Sequence, residues 1–198
     1  MKILALDSSG LVASVAVVEN DTLLAEYTVN YKKTHSQTLL PMLDEISNMT
    51  ELDLSTIDAI AVAGGPGSFT GLRIGSATAK GLGLALEKPL ISIPTTAAIA
   101  YNIWDTNKFV CPIMDARRNQ VYTGVYCYTD HRLDTVWEQD TMSIEALAEG
   151  LNCLDHEVIF LGDGVAVYRK KLQELLTIPF SFAPAHVNRQ RAAAVAAL

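Results

Sequence analysis

The sequence predicts an α/β fold made of two lobes, each with the element order βββαβα. Three observations carry this. Short apolar runs bounded by Gly, Asn, Asp and Pro recur as strands, and stretches with helical apolar spacing separate them in a fixed order. The order found over residues 1–107 returns over residues 108–198, with Asp115 standing where Asp7 stands. Hydrophobic residues make up 49% of the 198, enough for a substantial core. Hairpins followed by βα units give a mixed sheet with helices on its faces.

Each element has a local reason. KILALD (2–7) is a short apolar strand, SSG a turn, and LVASVAVVEN (11–20) a second strand ending in the Asn20-Asp21 turn. TLLAEYTVN (22–30) completes a meander. A helix is expected over 35–49, with Thr34 as N-cap, Gln37 closing a capping box, and Leu39, Met42, Leu43, Ile46 and Met49 on one stripe. Pro41 inside it predicts a kink or a late start. A strand at 56–64, a long helix from about 68 to 86 capped by Ser68 or Thr70, a strand at 89–93 and a helix at 95–104 finish the first lobe. The second lobe reads as strand–turn–strand over 110–128, a strand at 133–143, a helix at 144–150, a strand at 157–164 and a helix at 165–176. The alanine-rich end, NRQRAAAVAAL, reads as a final helix, either cut short or returning to the first lobe.

Fifteen basic against 22 acidic residues give a net charge of -7, which argues against a stand-alone nucleic-acid binder. The short basic clusters, Lys32-Lys33, Arg117-Arg118 and Arg169-Lys170-Lys171, read as solvated surface. Cys111, Cys127 and Cys153 lack CxxC spacing and read as reduced thiols of a cytoplasmic protein. No apolar run approaches the ~18 residues of a membrane span, and the apolar start is too short for a signal peptide.

The segment AGGPGSFTGLRIG (63–75) raises the functional question. A P-loop needs a lysine before Ser or Thr, and no register here supplies one. Gly65, Gly67 and Gly71 resemble a dinucleotide fingerprint, but no acid ends the following strand. Ser68 as a nucleophile lacks a base coupled to it by spacing, and reads as a helix cap. Gly71, Gly75, Ala79 and Gly83 are four apart and share one side of the helix. Each internal glycine costs up to ~1 kcal/mol relative to alanine, so a compensating close contact is expected. That contact is either with the chain's own sheet or with a helix of a second subunit.

ILALDSS, THSQTLLPML, AVAGGPGSFTGLRIGSATAKGLGLAL and DARRNQVY together resemble the TsaB (YeaZ) family, over residues 3 to about 185. The resemblance implies the actin-like, Hsp70-like ATPase (ASKHA, ribonuclease H-like) fold. It implies a non-catalytic subunit that partners TsaD, the enzyme forming threonylcarbamoyladenosine at position 37 of ANN-decoding tRNAs, with the ATPase TsaE joining them. The first two helices then form the interface, assigning it His35, Leu39, Met42, Leu43, Ile46, Leu72, Arg73, Gly75, Ser76, Ala79, Lys80 and Gly83. ATP, magnesium and metal belong to the partner subunits, this chain needs no cofactor, and tRNA is met only through the complex. The four histidines, at 35, 131, 156 and 186, give no HxxxH pair like TsaD's metal motif. The turn Asp7-Ser8-Ser9 reads either as a vestigial nucleotide turn or as a carboxylate bonding its own turn's N–H groups. The counterpart, Asp115 to Asn119, is bulky, and Gly162-Asp163-Gly164 keeps only part of a nucleotide turn. The same helices leave an apolar stripe that a homodimer would bury when TsaD is absent. The alternative function is a small ASKHA-type ATP-dependent phosphotransferase using Asp7 or Asp115.

Overall fold

A computed structural model describes residues 1–31 and 35–198. Lys32, Lys33 and the Thr34 N-cap reading lie outside the described residues. The chain divides into two compact units: Met1–Ala98 with Gln190–Leu198, and Ile99–Arg189.

The first unit is a five-stranded sheet in the order β3-β2-β1-β4-β5. Its strands are β1 (Lys2–Asp7), β2 (Ala13–Glu19), β3 (Thr22–Val29), β4 (Ala59–Gly65) and β5 (Leu90–Pro94). β1–β2 and β2–β3 pair antiparallel, while β1–β4 and β4–β5 pair parallel. The period-2 pleat sorts β1 into two cores. Leu4 and Leu6 meet Leu39, Met42, Leu43 and Ile46 of α1 (Leu39–Thr50), and Ala79 of α2 (Phe69–Leu86). Ile3 and Ala5 face the other way, onto Ala192 and Val195 of α6 (Ala192–Ala197).

Alanines on that second face, Ala16, Ala59 and Ala61, let the alanine-rich α6 lie close to the sheet. Polar bonds fix its seat: Arg191 pairs with Glu26, Ala192 N donates to Ser14 Oγ at 2.8 Å, and Ala193 N donates to Glu26 Oε1 at 3.1 Å.

α1 starts later than the capping-box reading placed it. His35–Gln37 form a 3-10 turn, Thr38 is the N-cap without a side-chain cap bond, and Pro41 sits in the first turn. A first-turn N–H has no intrahelical partner, so proline is tolerated there. α2 is capped as expected, with Ser68 Oγ accepting from Gly71 N at 3.3 Å. Both helices stop at a left-handed residue, Glu51 (φ 50) and Glu87 (φ 55).

The second unit repeats this plan. Its sheet runs β10-β9-β6-β7-β8. The strands are β6 (Phe109–Arg117), β7 (Gln120–Thr129), β8 (Arg132–Ser143), β9 (Val158–Leu161) and β10 (Phe180–Phe182). β6–β7 and β7–β8 are antiparallel, and β6–β9 and β9–β10 parallel, the same sequence of pairings as in the first unit. α4 (Ile144–Leu154) and α5 (Gly164–Leu175) cover one face through Leu147, Leu151, Tyr168 and Leu172. The duplicated α/β architecture predicted from element order is therefore present.

Three elements differ from expectation. α3 (Thr95–Ala100) ends four residues before Trp104, α4 continues to Leu154, and β10 was not anticipated because three residues carry no readable alternation. Among the described residues no helix is long and apolar enough to cross a membrane.

The glycines of α2 are not equivalent, and this is testable. A Cβ built on Gly71 overlaps the Ser8 carbonyl oxygen, which is backbone and cannot swing aside, whereas one on Gly81 meets nothing within 4 Å. Gly71→Ala should destabilise the chain by about 1–3 kcal/mol, and Gly81→Ala should stabilise it by about 0.5–1 kcal/mol. Urea unfolding of both variants checks the opposite signs.

Candidate functional site

The small-residue stripe faces inward. Gly71, Gly75, Ala79 and Gly83 are all buried within the first unit. Gly75 packs on Ser8 Oγ, and a Cβ on Gly83 would come within 2.8 Å of Leu90 Cδ2 and 3.1 Å of the Lys88 carbonyl. The stripe lets α2 lie against the β1–β2 turn and β5, so Gly75, Ala79 and Gly83 are not open to a foreign helix. Leu39, Met42, Leu43 and Ile46 lie in the core under α1. His35 is only partly accessible, with its ring Nε2 2.9 Å from the Gly10 carbonyl.

The remaining expected residues do share one outer surface. Leu72, Arg73, Ser76 and Lys80 line a groove of about 620 Å³, together with Phe69 and with Leu90 of the edge strand β5. The Arg73 guanidinium stacks over the Phe69 ring at 3.7 Å. Large apolar side chains outside the expected set are exposed on both helices. Phe69 is 68% exposed and Leu84 is 84% exposed on α2, and Leu40 (52%) and Met49 (77%) project from α1. Phe69, Arg73, Ala77, Lys80 and Leu84 follow helical spacing opposite the glycines, which is the signal that could have found them.

Charge is segregated between the two helices. α2 carries Arg73 and Lys80 and no acid, and α1 carries Asp44 and Glu45 and no base. All four are exposed.

The Asp7 turn is sealed. Asp7 is 0% exposed, and Oδ1 accepts from Ser9 N at 2.8 Å and from Ser9 Oγ at 2.7 Å. Ser8 Oγ donates to the Gly71 carbonyl at 2.9 Å, and the Ser9 carbonyl accepts Ser68 N at 2.6 Å. Burial pushes the Asp7 carboxyl up to about 6, against the lowering effects of the Ser9 bonds and the field of His35.

The turns of the second unit are engaged in the same manner. Asp115 Oδ1 accepts from Arg117 N at 3.0 Å and Tyr168 Oη at 3.1 Å, Asp163 Oδ1 accepts Asp115 N at 3.2 Å, and the Gly162 carbonyl accepts from Arg189 at 2.7 Å. Desolvation raises the Asp163 carboxyl above its usual range. Arg117, Arg118 and Asn119 all have left-handed backbone, φ 68, 52 and 63. In these turns the N–H of Ser9 is turned on the Asp7 carboxylate and those of Asp115 and Arg117 on side-chain carboxylates.

Among the described residues no three His, Cys, Asp or Glu side chains are grouped to hold a metal. His131 is paired with Asp105 at 2.7 Å, and His156 stacks on Phe109 at 4.1 Å between centroids. Cys111 is a core thiol pushed up to about 12 by burial.

A family model described as TsaD, tRNA N6-adenosine threonylcarbamoyltransferase, matches residues 22–198. The tRNA threonylcarbamoyladenosine biosynthesis protein TsaB of Bacillus subtilis (strain 168) is 34% identical over 176 residues, spanning 89% of this chain and 77% of that protein. Among solved structures, YeaZ from Pseudomonas aeruginosa superposes with a TM-score of 0.80 at 26% identity, covering 96% of this chain and 86% of that one. The inorganic polyphosphate/ATP-glucomannokinase of Arthrobacter sp. strain KM shares the fold alone, with a TM-score of 0.54 at 14% identity, over 99% of this chain and 95% of that one.

The sealed Asp7 predicts a pH dependence. Its pKa is about 6 when folded against an ordinary 3.8, so the native state binds more protons than the unfolded state across that window. Stability should fall as pH rises from about 4 to about 6 and then level off, a change of about 3 kcal/mol. Asp7→Asn should abolish this slope and be more stable than the parent chain near pH 7.5. Urea unfolding at about pH 4.5 and 7.5 tests this, and a variant keeping the slope would refute it.

Proposed function

The chain belongs to the TsaB (YeaZ) family, and from that premise we propose that it is a non-catalytic subunit supporting TsaD in tRNA threonylcarbamoyladenosine formation. Its task is to hold its partner through the outer strips of α1 and α2. One observation carries this reading: the first unit leaves large apolar side chains, Leu40, Met49, Phe69 and Leu84, exposed on two neighbouring helices of opposite charge. Exposed apolar side chains rimmed by charge mark protein–protein surfaces.

Such a surface supports chemistry performed elsewhere. The two turns that would serve a phosphotransferase are closed by their own carboxylates and by α2, which weighs against the ASKHA-type kinase alternative. In this reading TsaE, ATP with magnesium and the catalytic metal belong to the other members of the assembly. Modification at position 37 of the tRNA is then reached only through them, in the cytoplasm. Without TsaD the same strips bring two copies together, α1 of one against α2 of the other.

Charge reversal tests the surface without touching the core. Arg73→Glu with Lys80→Glu should weaken TsaD binding at least tenfold, about 1.4 kcal/mol, with unchanged thermal unfolding. Lys170→Glu, on an exposed residue of the second unit, should leave binding as it was. Titration calorimetry with purified TsaD reads both, and full affinity in the doubly reversed variant would remove the proposed face.

A further inference from the structure

Three aromatic rings from two distant segments meet at the surface of the second unit. Tyr101 and Trp104 follow α3, and Tyr128 lies near the end of β7. The Trp104 ring stands against both tyrosines, with centroids 5.4 Å apart and interplanar angles of 76° and 66°. Edge-to-face contacts of this kind fix a ring's orientation. Trp104 is nevertheless 56% exposed, so a large ring is held in place with much of its surface open to solvent.

Acid stands beside this ring. Asp105 is the next residue, and its Oδ2 lies 2.7 Å from His131 Nδ1. That contact ties the segment after α3 to the β7–β8 turn, where Asp130 is also exposed. Asp105 Oδ1 takes no hydrogen bond among the described residues. The cation next along the turn, Arg132, points elsewhere. Tyr128 pairs with Leu133 across the hairpin, whereas Arg132 pairs with Thr129 and Asp134 with Cys127. Strand alternation therefore puts Arg132 and Asp134 on the face opposite Tyr128.

Two other rings of the chain are already capped. Arg73 lies over Phe69 at 3.7 Å, and Arg169 over Phe182 at 4.0 Å. Among the described residues no cation of the chain lies over Trp104. Indole attracts a cation more strongly than the other aromatic rings, and a neighbouring carboxylate adds to that attraction.

We propose that Trp104 and Asp105 receive an arginine side chain of a partner protein, with its guanidinium stacked on the indole and its N–H groups donated to Asp105 Oδ1. Tyr101 and Tyr128 are positioning residues that hold the indole. Arginine fits better than lysine, because a planar guanidinium stacks on the ring while its fork reaches the carboxylate. A nucleobase would also stack, but its phosphates would meet Asp105, Asp130 and a chain of net charge -7. An aliphatic side chain would use the ring and gain nothing from the carboxylate. The site shares no residue with the outer strips of α1 and α2, so it stands or falls apart from the docking reading above.

The test uses the full chain, with N-acetyl-arginine amide as the probe. The indole N–H of Trp104 is followed by NMR up to about 100 mM probe, with the indole of Trp137 as internal reference. The Trp104 signal should move along a saturating curve with a Kd on the order of 10 mM, while that of Trp137 stays in place. Asp105→Asn suits the left-handed backbone there, φ 50, and should weaken binding about threefold or more. Trp104→Leu should remove the saturating response of the Asp105 amide. N-acetyl-glutamine amide, N-acetyl-leucine amide and AMP should give only small, linear shifts. A linear response to the arginine probe, an equal response to any of the other three, or full affinity in Asp105→Asn would overturn the proposal. Should Trp104→Leu fail to fold, Asp105→Asn and the four probes decide alone.

Discussion

The contact on which the first unit depends is backbone against backbone: α2 at Gly71 lying on the carbonyl of Ser8. No side chain fits between them. Ser8 Oγ donates to the Gly71 carbonyl, Ser68 N donates to the Ser9 carbonyl, and Gly75 accommodates the Ser8 hydroxyl one turn further along. Fixing α2 there seals Asp7, sets the inner stripe of the helix, and leaves Phe69, Arg73, Lys80 and Leu84 as its outer strip. The glycine-rich segment is therefore a packing device first. Its helix-weakening residues, each unfavourable by up to ~1 kcal/mol, are offset by the close approach they permit.

The second unit obeys the same constraint through different residues. The Ile113 carbonyl occupies the space where side chains at Gly162 and Gly164 would stand, so α5 begins hard against β6 as α2 lies against the turn after β1. Asp7 and Asp115 each accept a backbone N–H two residues on, from Ser9 and Arg117. The turns then diverge. Ser9 is buried, whereas Arg117 and Arg118 are exposed in left-handed backbone that costs non-glycine residues about 1–3 kcal/mol each. Partners offset this strain: Asn119 donates to Glu145 at 2.8 Å and accepts from Lys171 at 2.9 Å.

Much of this plan was legible in the residues. Alternation and turn chemistry located nine of the ten strands found among the described residues, and the returning element order gave the duplication. Ser68 was readable as a cap because a side-chain oxygen at that spacing satisfies a first-turn N–H. What failed has a common cause. Periodicity states which residues share a helix face but not what that face meets. Thus Gly71, Gly75, Ala79 and Gly83 were grouped correctly, yet the contact that explains them lies within the chain. The apolar stripe of α1 was likewise real, but Leu39 and Ile46 serve the core while Leu40 and Met49 serve the surface. The anchor of α6 was invisible because Glu26 and Arg191 are 165 positions apart and neither belongs to a motif.

The charge arrangement of the outer strips limits how a partner sits. With cations confined to α2 and acids to α1, a partner helix of either sign meets attraction on one strip and repulsion on the other. A helix pair carrying the same segregation can satisfy both strips only when it crosses them, positive over negative and negative over positive. A second copy meets that condition by a two-fold axis. A subunit of the same duplicated architecture meets it if it presents a matching acidic and basic helix side by side. On the docking reading proposed above, exposed apolar residues such as Leu40, Phe69 and Leu84 would supply attraction without regard to sign, and the charges would set register. On that docking reading the assembly asks of the buried turn only that it hold α1 and α2 in place, and Asp7 is closed off fully within it.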